Sequence, residues 1–127
     1  MRLWHYKLIP FLPRQQLLGQ HRECCALRGK SWGRKHATVD YAFQQGPDVL
    51  FAYHTLVLHE MKRRGYHYNA VWQCSVYRGA KCAPWPNFGP VPPDTTMMLY
   101  SEHDDNYLME CLNNLRSKGV DLHYPAD

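Results

Sequence analysis

Three helix-forming segments, each closed by a glycine, constrain the fold of this chain more than any other feature. They are predicted over residues 13–28, 48–64 and 102–118, with stops at Gly29, Gly65 and Gly119. Pro13 suits the first helical position, and Ser101 is the predicted N-cap of the third helix. The pattern predicts a mostly α fold, in one compact domain of about three helices spanning residues 1–127.

The connections are long and rich in proline. A stretch over residues 69–96 holds Pro84, Pro86, Pro90, Pro92 and Pro93 together with Trp72, Trp85 and Phe88. A connection of this length is usually functional or wraps the surface with its own aromatic side chains. Trp85 and Phe88 could supply a stacking surface for a base, with buried packing as the alternative. Before the first helix, the apolar residues 1–12 form a strand-like lead-in.

Length and composition limit the classes of protein to which this chain can belong. A chain of 127 residues with 45% hydrophobic and 20% charged residues can bury one core and does not have a disordered composition. The net charge of +4, with eight histidines uncounted, is compatible with a polyanionic partner. The five cysteines show neither a disulfide framework nor a zinc motif, so reduced thiols are expected. Neither a secretory signal nor a membrane span is visible, and the cytoplasm is the expected location.

The first predicted helix has two distinct faces at about 100° per residue. Its apolar stripe contains Leu17, Leu18, His21, Cys24 and Cys25. The opposite face contains Gln15, Gly19, Arg22 and Ala26, with Glu23 at its flank and Gln16 and Gln20 beyond. A glycine inside a helix costs about 1 kcal/mol relative to alanine. Gly19 therefore indicates a close approach of a substrate or of the chain terminus, or else a solvated face that tolerates a glycine.

Glu23 and the amino terminus together suggest a chemistry. An α-amine beside a carboxylate is the minimum set of groups for forming a Schiff base with an aldehyde-type carbon.

Cations interleaved with an aromatic side chain form a second candidate feature. This mixture suits a phosphate backbone with an unpaired base, although it is also an ordinary solubility feature. The cations are Arg14, Arg22, Arg28, Lys30, Arg34, Lys35 and His36, and the aromatic is Trp32.

An ordered set of short motifs runs through residues 1–68. It comprises Arg2-Leu3, then Gln15, Leu17, Leu18, Arg22 and Glu23 on the first helix, then Arg34-Lys35-His36, and finally Glu60 and Arg64-Gly65-Tyr66, with a weaker echo in Tyr77-Arg78-Gly79. In these residues and their spacing the chain resembles the pyrimidine dimer DNA glycosylase family, of the phage endonuclease V type. The resemblance implies a compact, largely helical DNA repair enzyme that acts on damaged double-stranded DNA.

The resemblance also implies a reaction and its residues. Family members cut the glycosidic bond of the 5′ base of a cyclobutane dimer and then nick the strand at the abasic sugar, with neither a metal nor an organic cofactor. Their nucleophile is the α-amine of the first residue, and their acid is matched by Glu23. In the family that first residue is a threonine exposed by removal of the initiator methionine. Here Arg2 normally prevents the removal, so the retained amine of Met1 is the expected nucleophile.

Candidate DNA contacts come from the resemblance and from the basic stretch together. They are Arg2, Arg14, Gln15, Arg22, Arg34, Lys35 and His36. A further helix arginine that relatives use for phosphate contact is replaced here by Ala26, and Arg28 is a candidate substitute.

Other constellations suggest weaker alternatives. His54 and His59 are five residues apart, which is not the spacing of a helical metal pair, so no metal site is predicted. Cys24-Cys25 with His21 one turn earlier would be the elements of a thiol enzyme. His5 could tune the proton of the terminal amine or simply pack. The acidic residues after His103 are expected to cap the third helix.

The leading hypothesis is a DNA glycosylase with abasic-site lyase activity that acts through Met1 and Glu23, as a monomer and without a membrane partner. One rival is a nucleic-acid binding module that keeps the basic face without the chemistry. A second rival is a protein-interaction domain whose proline-rich segment contacts a partner chain. Salt-sensitive DNA affinity without a covalent adduct would favour the first rival, and no DNA affinity at low salt would favour the second.

Overall fold

The computed structural model describes residues 2–34, 38–86, 100 and 102–122. Across these ranges the chain is mostly helical and has no β-strand. The α-helices are α1 (Arg14–Arg28), α2 (Asp40–Gln45), α3 (Pro47–Arg63) and α4 (Asp105–Ser117), and two 3-10 helices cover Tyr6–Phe11 and Ala70–Gln73. Of the helices described, none is long and apolar enough to cross a membrane.

The three predicted helices are confirmed as α1, α3 and α4, with shifted ends. The largest shift is in α4, which begins at Asp105 because the Asp104 side chain accepts a hydrogen bond from the Tyr107 amide at 2.8 Å. The N-cap is therefore Asp104, so the assignment of that role to Ser101 was wrong; Ser101 itself lies outside the described residues. The expectation that the acidic residues after His103 cap this helix is confirmed for Asp104.

Two predictions about local structure need correction. The lead-in is not strand-like over Tyr6–Phe11, which form a 3-10 helix capped by the His5 side chain accepting from the Lys7 amide. A strand needs a neighbour to satisfy its backbone, and the described chain offers none, so a local helix supplies those hydrogen bonds instead. The short helix α2 was not predicted, since six residues are too few to show a helical period.

The core lies between α1 and α3, where α2 and the lead-in pack against α3 and α4 contributes the buried side chains of Cys111, Leu112 and Leu115. Leu17, Cys24 and Leu27 of α1 are fully buried among apolar side chains of α3 such as Leu50 and Val57. The predicted apolar stripe of α1 is only partly right. Leu18, His21 and Cys25 are half-buried, whereas the polar Gln20 and Arg28 are buried. Both of these polar side chains have hydrogen-bond partners, so their burial leaves no unsatisfied polar group.

Arg28 fixes the segment that follows α3. Its guanidinium, which is 0% exposed, donates to the carbonyl oxygens of Trp72 at 2.9 Å, Cys74 at 2.6 Å and Tyr77 at 2.8 Å. The first part of the predicted irregular stretch is thereby held against α1. Further along, Trp85 packs edge-on against Trp32 with ring centroids 5.2 Å apart, as the packing alternative anticipated. Phe88 and the prolines at 90, 92 and 93 lie outside the described residues.

Candidate active site

The N-terminal segment, residues 2–4, runs across three helices, and each of them supplies a side chain to it. Gln20 of α1 donates from Nε2 to the carbonyl oxygen of Arg2 at 3.1 Å and accepts from the Trp4 amide at 2.7 Å. The Tyr107 hydroxyl of α4 donates to the carbonyl oxygen of Leu3 at 2.5 Å. The Tyr53 hydroxyl of α3 donates to the carbonyl oxygen of Trp4 at 2.6 Å. We call these three side chains the backbone cradle.

A pocket of about 220 Å³ opens where the N-terminal segment meets α1. Four helix residues at i, i+3, i+4 and i+7 spacing form one wall, because that spacing places side chains on a single face. The pocket is lined by Gln16, Gly19, Gln20 and Glu23 of α1, by Arg2 and Trp4 of the N-terminal segment, and by Lys118 at the end of α4.

Among the described residues, Glu23 is the only acid that lines this pocket. Its Oε2 atom is buried and has no hydrogen-bond partner within the part of the chain that the structure describes. A buried carboxylate oxygen without a partner is unfavourable for folding, so such an atom in a cleft identifies a candidate functional group. Arg2 lines the same pocket, and the structure therefore brings together two residues that are 21 positions apart in sequence.

Arg2 is held at the pocket by weak contacts. It forms an ion pair with Glu110 of α4 at 3.4 Å, and it lies 5.9 Å from the Trp4 ring and 5.8 Å from the Tyr107 ring. The Glu110 side chain is 62% exposed, and an ion pair with such a partner contributes less than about 1 kcal/mol. A phosphate group could therefore replace Glu110 as the partner of Arg2 at small cost.

Gly19 leaves open space at the pocket wall. A Cβ added there would meet the Arg22 guanidinium at 3.7 Å, an ordinary contact, and no other atom of the described chain within 4 Å. The interpretation that something approaches Gly19 closely is compatible with a pocket ligand. Nothing in the ranges described fills the space as a packed side chain would.

The sequence analysis missed four residues of the pocket lining, which are Trp4, Gln16, Gln20 and Lys118. Trp4 forms part of the lining, and its ring lies 5.2 Å from the Lys118 ammonium. Gln20 was placed on the polar side of α1. Only the periodicity of α1 could have indicated Gln20, since it follows Gln16 by one turn. No local pattern indicates Lys118, because it reaches the pocket from the far end of the chain.

The other predicted DNA contacts are solvent-exposed where the structure describes them. Arg14 and Gln15 lie in the first turn of α1, Arg22 lies near the pocket mouth beside Gly19, and Arg34 follows α1. Exposure is what a phosphate contact requires, and it is also the default for these residue types. Met1, Lys35 and His36 lie outside the described residues, so their expected roles stay predictions.

Arg28 does not fit its candidate role as a phosphate contact. It is fully buried, its guanidinium donates to three carbonyl oxygens, and it lies 4.9 Å from the Trp72 ring. Reaching a phosphate would leave those carbonyl oxygens unpaired inside the protein, at about 1–3 kcal/mol each. Arg28 therefore does not substitute for the helix arginine that is replaced here by Ala26.

One cluster has the residue types of a metal site. His21, Cys25 and His54 place one ligand atom each within 4.8 Å of one another. The Arg28 guanidinium lies 3.0 Å from His54 Nδ1, and arginine can only donate, so this nitrogen is the acceptor and Nε2 of neutral His54 carries the proton. That proton points to His21 Nδ1 at 2.9 Å. A cation would have to displace the proton beside a guanidinium, so the cluster is better explained as a hydrogen-bond chain.

The thiol alternative is also disfavoured. Burial raises the pKa of Cys25 to about 11, and it raises the pKa of Cys24 as well. A thiol enzyme needs a lowered pKa, because the thiolate is the nucleophile. His21 lies 3.8 Å from Cys25 Sγ, but burial and the nearby arginines lower its own pKa, so it carries no positive charge to stabilise a thiolate.

His5 and His103 have packing roles. His5 stacks on His103 with ring centroids 5.3 Å apart and is not among the residues that line the Glu23 pocket. Nδ1 of the buried His103 accepts from the Tyr6 amide at 3.3 Å, and Nε2 lies 2.7 Å from the Tyr41 hydroxyl. His103 thereby ties α4 to the lead-in and to α2. Met1 lies outside the described residues, so the suggestion that His5 tunes the proton of its amine stays a prediction.

A larger cavity lies elsewhere, between the lead-in and α3. Its volume is about 290 Å³, and it is lined by Ile9, Leu56, His59 and Glu60 among others. Glu60 is already paired with Arg63 and with Arg64, the latter at 2.6 Å, so the described lining of this cavity offers no unpaired acid. The Glu23 pocket is the smaller of the two, and it is the one that combines an unpaired acid with cations.

The described chain is thus a small helical protein in which one pocket holds the acid Glu23 together with the cations Arg2 and Lys118. A family model described as pyrimidine dimer DNA glycosylase matches residues 1–74. The chain belongs to this family of DNA repair glycosylases, and the resemblance seen in the sequence is confirmed. Neither the curated proteins nor the solved structures compared with the chain include a match. The match ends before α4, which supplies Tyr107 and is followed by Lys118 at the pocket.

Proposed function

We propose that this protein is a DNA glycosylase with abasic-site lyase activity on damaged double-stranded DNA, and that it uses the α-amine of Met1 as nucleophile and Glu23 as acid and base. The observation that carries the proposal is that Arg2, the neighbour of Met1, lines one pocket with Glu23, whose buried Oε2 has no partner in the described chain. Membership of the pyrimidine dimer DNA glycosylase family supports a cyclobutane dimer as the lesion.

The proposed chemistry suits an α-amine. Its reference pKa is about 7.7–8.0, compared with about 10.4 for lysine, so a useful fraction is neutral near pH 7.5. The neutral amine attacks C1′, the bond from C1′ to the 5′ base breaks, and the departing base takes up a proton. The attached amine then loses a proton, its lone pair breaks the bond from C1′ to O4′, and O4′ takes up a proton as the sugar ring opens, which leaves a protonated imine. Glu23 stabilises this cation electrostatically.

Strand cleavage follows from the same intermediate. A carboxylate such as Glu23 accepts a proton from C2′, and the electron pair of the broken C–H bond expels the 3′ phosphate by β-elimination. Water then hydrolyses the imine and releases the amine. Exposure of C1′ requires extrusion of a nucleotide, which costs a few kcal/mol and less at a damaged site. Every step uses groups of this chain, the DNA and water.

Exposed cations of α1 and of the residues after it, together with Arg2, supply the proposed DNA contacts. Arg22, Arg14 and Arg34 are exposed and can meet phosphates, and Arg2 can exchange Glu110 for one. Gln15 lies beside Arg14 in the first turn of α1, and Lys35 and His36 follow Arg34 in sequence. These contacts would hold the strand on both sides of the sugar that enters the pocket.

Borohydride trapping on a duplex with one abasic site tests the proposal. We expect the wild-type protein to form a covalent adduct that peptide mapping locates at the first residue. Glu23→Gln should bind the duplex with unchanged affinity and lose cleavage by at least about 10²-fold, the range of acid–base catalysis. Asp121→Asn is the matched control, because Asp121 is an exposed acid whose ion pair, with Arg116 at 3.9 Å, lies away from the pocket.

Intact mass of the purified protein defines the state of the amine in the same experiment. A free amine with no adduct and salt-sensitive DNA binding would replace the proposal with the non-catalytic binding module. An adduct mapped to a lysine would overturn the role of Met1. The absence of DNA binding at low salt would favour the protein-interaction domain.

A further inference from the structure

We infer that the backbone cradle, formed by Gln20, Tyr107 and Tyr53, positions the terminal amine for attack, and that these three are positioning residues of the reaction. The inference rests on the proposed function, since it assigns a role in placing the proposed nucleophile. None of the three side chains has to touch DNA for this role, because each acts through the backbone of the N-terminal segment.

The cradle holds three consecutive carbonyl oxygens. Those of Arg2, Leu3 and Trp4 accept from Gln20 at 3.1 Å, Tyr107 at 2.5 Å and Tyr53 at 2.6 Å. A β-strand would satisfy such a segment with a neighbouring strand, but here the donors are side chains from three different helices. The segment is thereby fixed to the whole helical scaffold rather than to one element.

Gln20 is the central member of the cradle. Its amide donates to Arg2 and accepts from the Trp4 amide, so it pairs with the segment as another strand would. These two backbone contacts fix the orientation of the amide group, and its Oε1 lies 3.0 Å from the Tyr53 hydroxyl. Gln20 is 1% exposed and lines the same pocket as Glu23, which is three residues further along α1.

Geometry explains why this fixation matters for the reaction. The amine belongs to the residue bonded to Arg2, and consecutive α-carbons are about 3.8 Å apart. A fixed Arg2 carbonyl therefore holds the point at which the residue with the amine is attached, beside a pocket that contains the acid. Chain termini usually fray, and a frayed amine would lose the rate advantage of a reactant held in place.

Single-turnover borohydride trapping on abasic duplex separates positioning from folding. A variant that is partly unfolded lowers the amplitude of the reaction, whereas a misplaced amine lowers its rate constant at full amplitude. We expect Gln20→Met to lower the rate constant by about 10²-fold, because misplacement by about 1 Å can cost this much. Tyr107→Phe, which removes one hydroxyl from a half-buried ring, should lower it by at least about tenfold.

Tyr100→Phe is the matched control for the tyrosine variants. The Tyr100 hydroxyl is buried and has no hydrogen-bond partner in the described ranges, so its removal leaves the cradle intact. The rate constant of this control should equal that of wild type.

The possible outcomes distinguish a failure of this inference from a failure of the proposed function. Wild-type protein that forms no adduct would end the proposed function and the inference together. A wild-type adduct, with cradle variants that react at the wild-type rate constant, would overturn the inference alone. The inference also fails if the variants lose only amplitude, or if Tyr100→Phe is slowed as much as Tyr107→Phe. Reduced rate constants at full amplitude, with a normal control, would establish the cradle.

Discussion

The guanidinium of Arg28 lies 3.0 Å from Nδ1 of His54, in the interior between α1 and α3. Because arginine can only donate, this contact fixes the tautomer of His54 and directs its remaining proton to His21 at 2.9 Å. The same guanidinium donates to the backbone of the segment that follows α3. A buried cation without an acidic partner in the described chain is thus stabilised by carbonyl dipoles and by a neutral histidine.

The first prediction concerns this cation. Arg28→Lys keeps the charge but offers three donors on one nitrogen for four acceptors, which are three carbonyl oxygens and His54 Nδ1, so at least one buried acceptor loses its donor. We expect the free energy of unfolding to fall by at least about 2 kcal/mol in urea titrations. Arg22→Lys, at an exposed site on the same helix, should change it by less than about 0.5 kcal/mol. Equal effects of the two substitutions would contradict the described environment of Arg28.

The second prediction is that the carboxylate of Glu23, the proposed catalytic acid, lowers the free energy of unfolding. The Oε2 atom of Glu23 is buried without a partner in the described structure, and a buried unpaired oxygen costs less free energy on a neutral amide than on a carboxylate. Glu23→Gln should therefore raise the free energy of unfolding by about 1 kcal/mol, measured by thermal or urea unfolding. Glu110→Gln is the control at an exposed acid and should have almost no effect. A marked loss of stability in Glu23→Gln would show that this side chain serves the fold instead.

The third prediction is a loss of stability in mild acid. Burial lowers the pKa of His103 to about 3, compared with about 6.5 in the unfolded chain, and burial also lowers the pKa of His5, His21 and His54. Between these values the unfolded chain binds more protons than the folded protein, so stability is complete above about pH 6.5 and falls as the pH falls towards 3. A histidine that is protonated in the unfolded chain and neutral in the folded protein changes the free energy of unfolding by about 1.4 kcal/mol per pH unit.

Urea unfolding at several pH values between 7 and 5 measures this slope. We expect it to exceed the value for one proton, since four histidines act in the same direction. His103→Asn, which removes one of the four, should give a shallower slope. Stability that does not change from pH 7 to pH 5 would contradict the burial of these histidines as neutral side chains.

The fourth prediction concerns affinity for DNA. Each phosphate contact that is removed lowers the salt dependence of binding by about 0.9 in the slope of log K against log salt. Arg22→Ala and Arg34→Ala should each show a decrease of this size on duplex DNA, measured by fluorescence anisotropy over a salt series. Lys62→Ala, at an exposed cation of α3, is the control and should leave the slope unchanged. Equal slopes for all of these variants would remove the two arginines from the proposed interface.

The sequence by itself determined three of the four described α-helices and the family. Helices α1, α3 and α4, with the turns at Gly29, Gly65 and Gly119, follow from periodicity and capping, which depend on residues within one or two turns. The placement of Glu23 on a flank of α1, away from Leu17 and Cys24, follows from the same period. The family motifs are also local, and they lie within the matched residues 1–74.

Only the tertiary structure decided which polar residues are buried and which distant residues meet. Gln20 and Arg28 look like surface residues in sequence, but each is buried because backbone groups from other parts of the chain satisfy its hydrogen bonds. Lys118 enters the Glu23 pocket from the end of α4, and Tyr107 reaches the Leu3 carbonyl across 104 residues of sequence. Contacts of this separation leave no period or motif in the sequence, since they arise from how the helices pack rather than from any local preference.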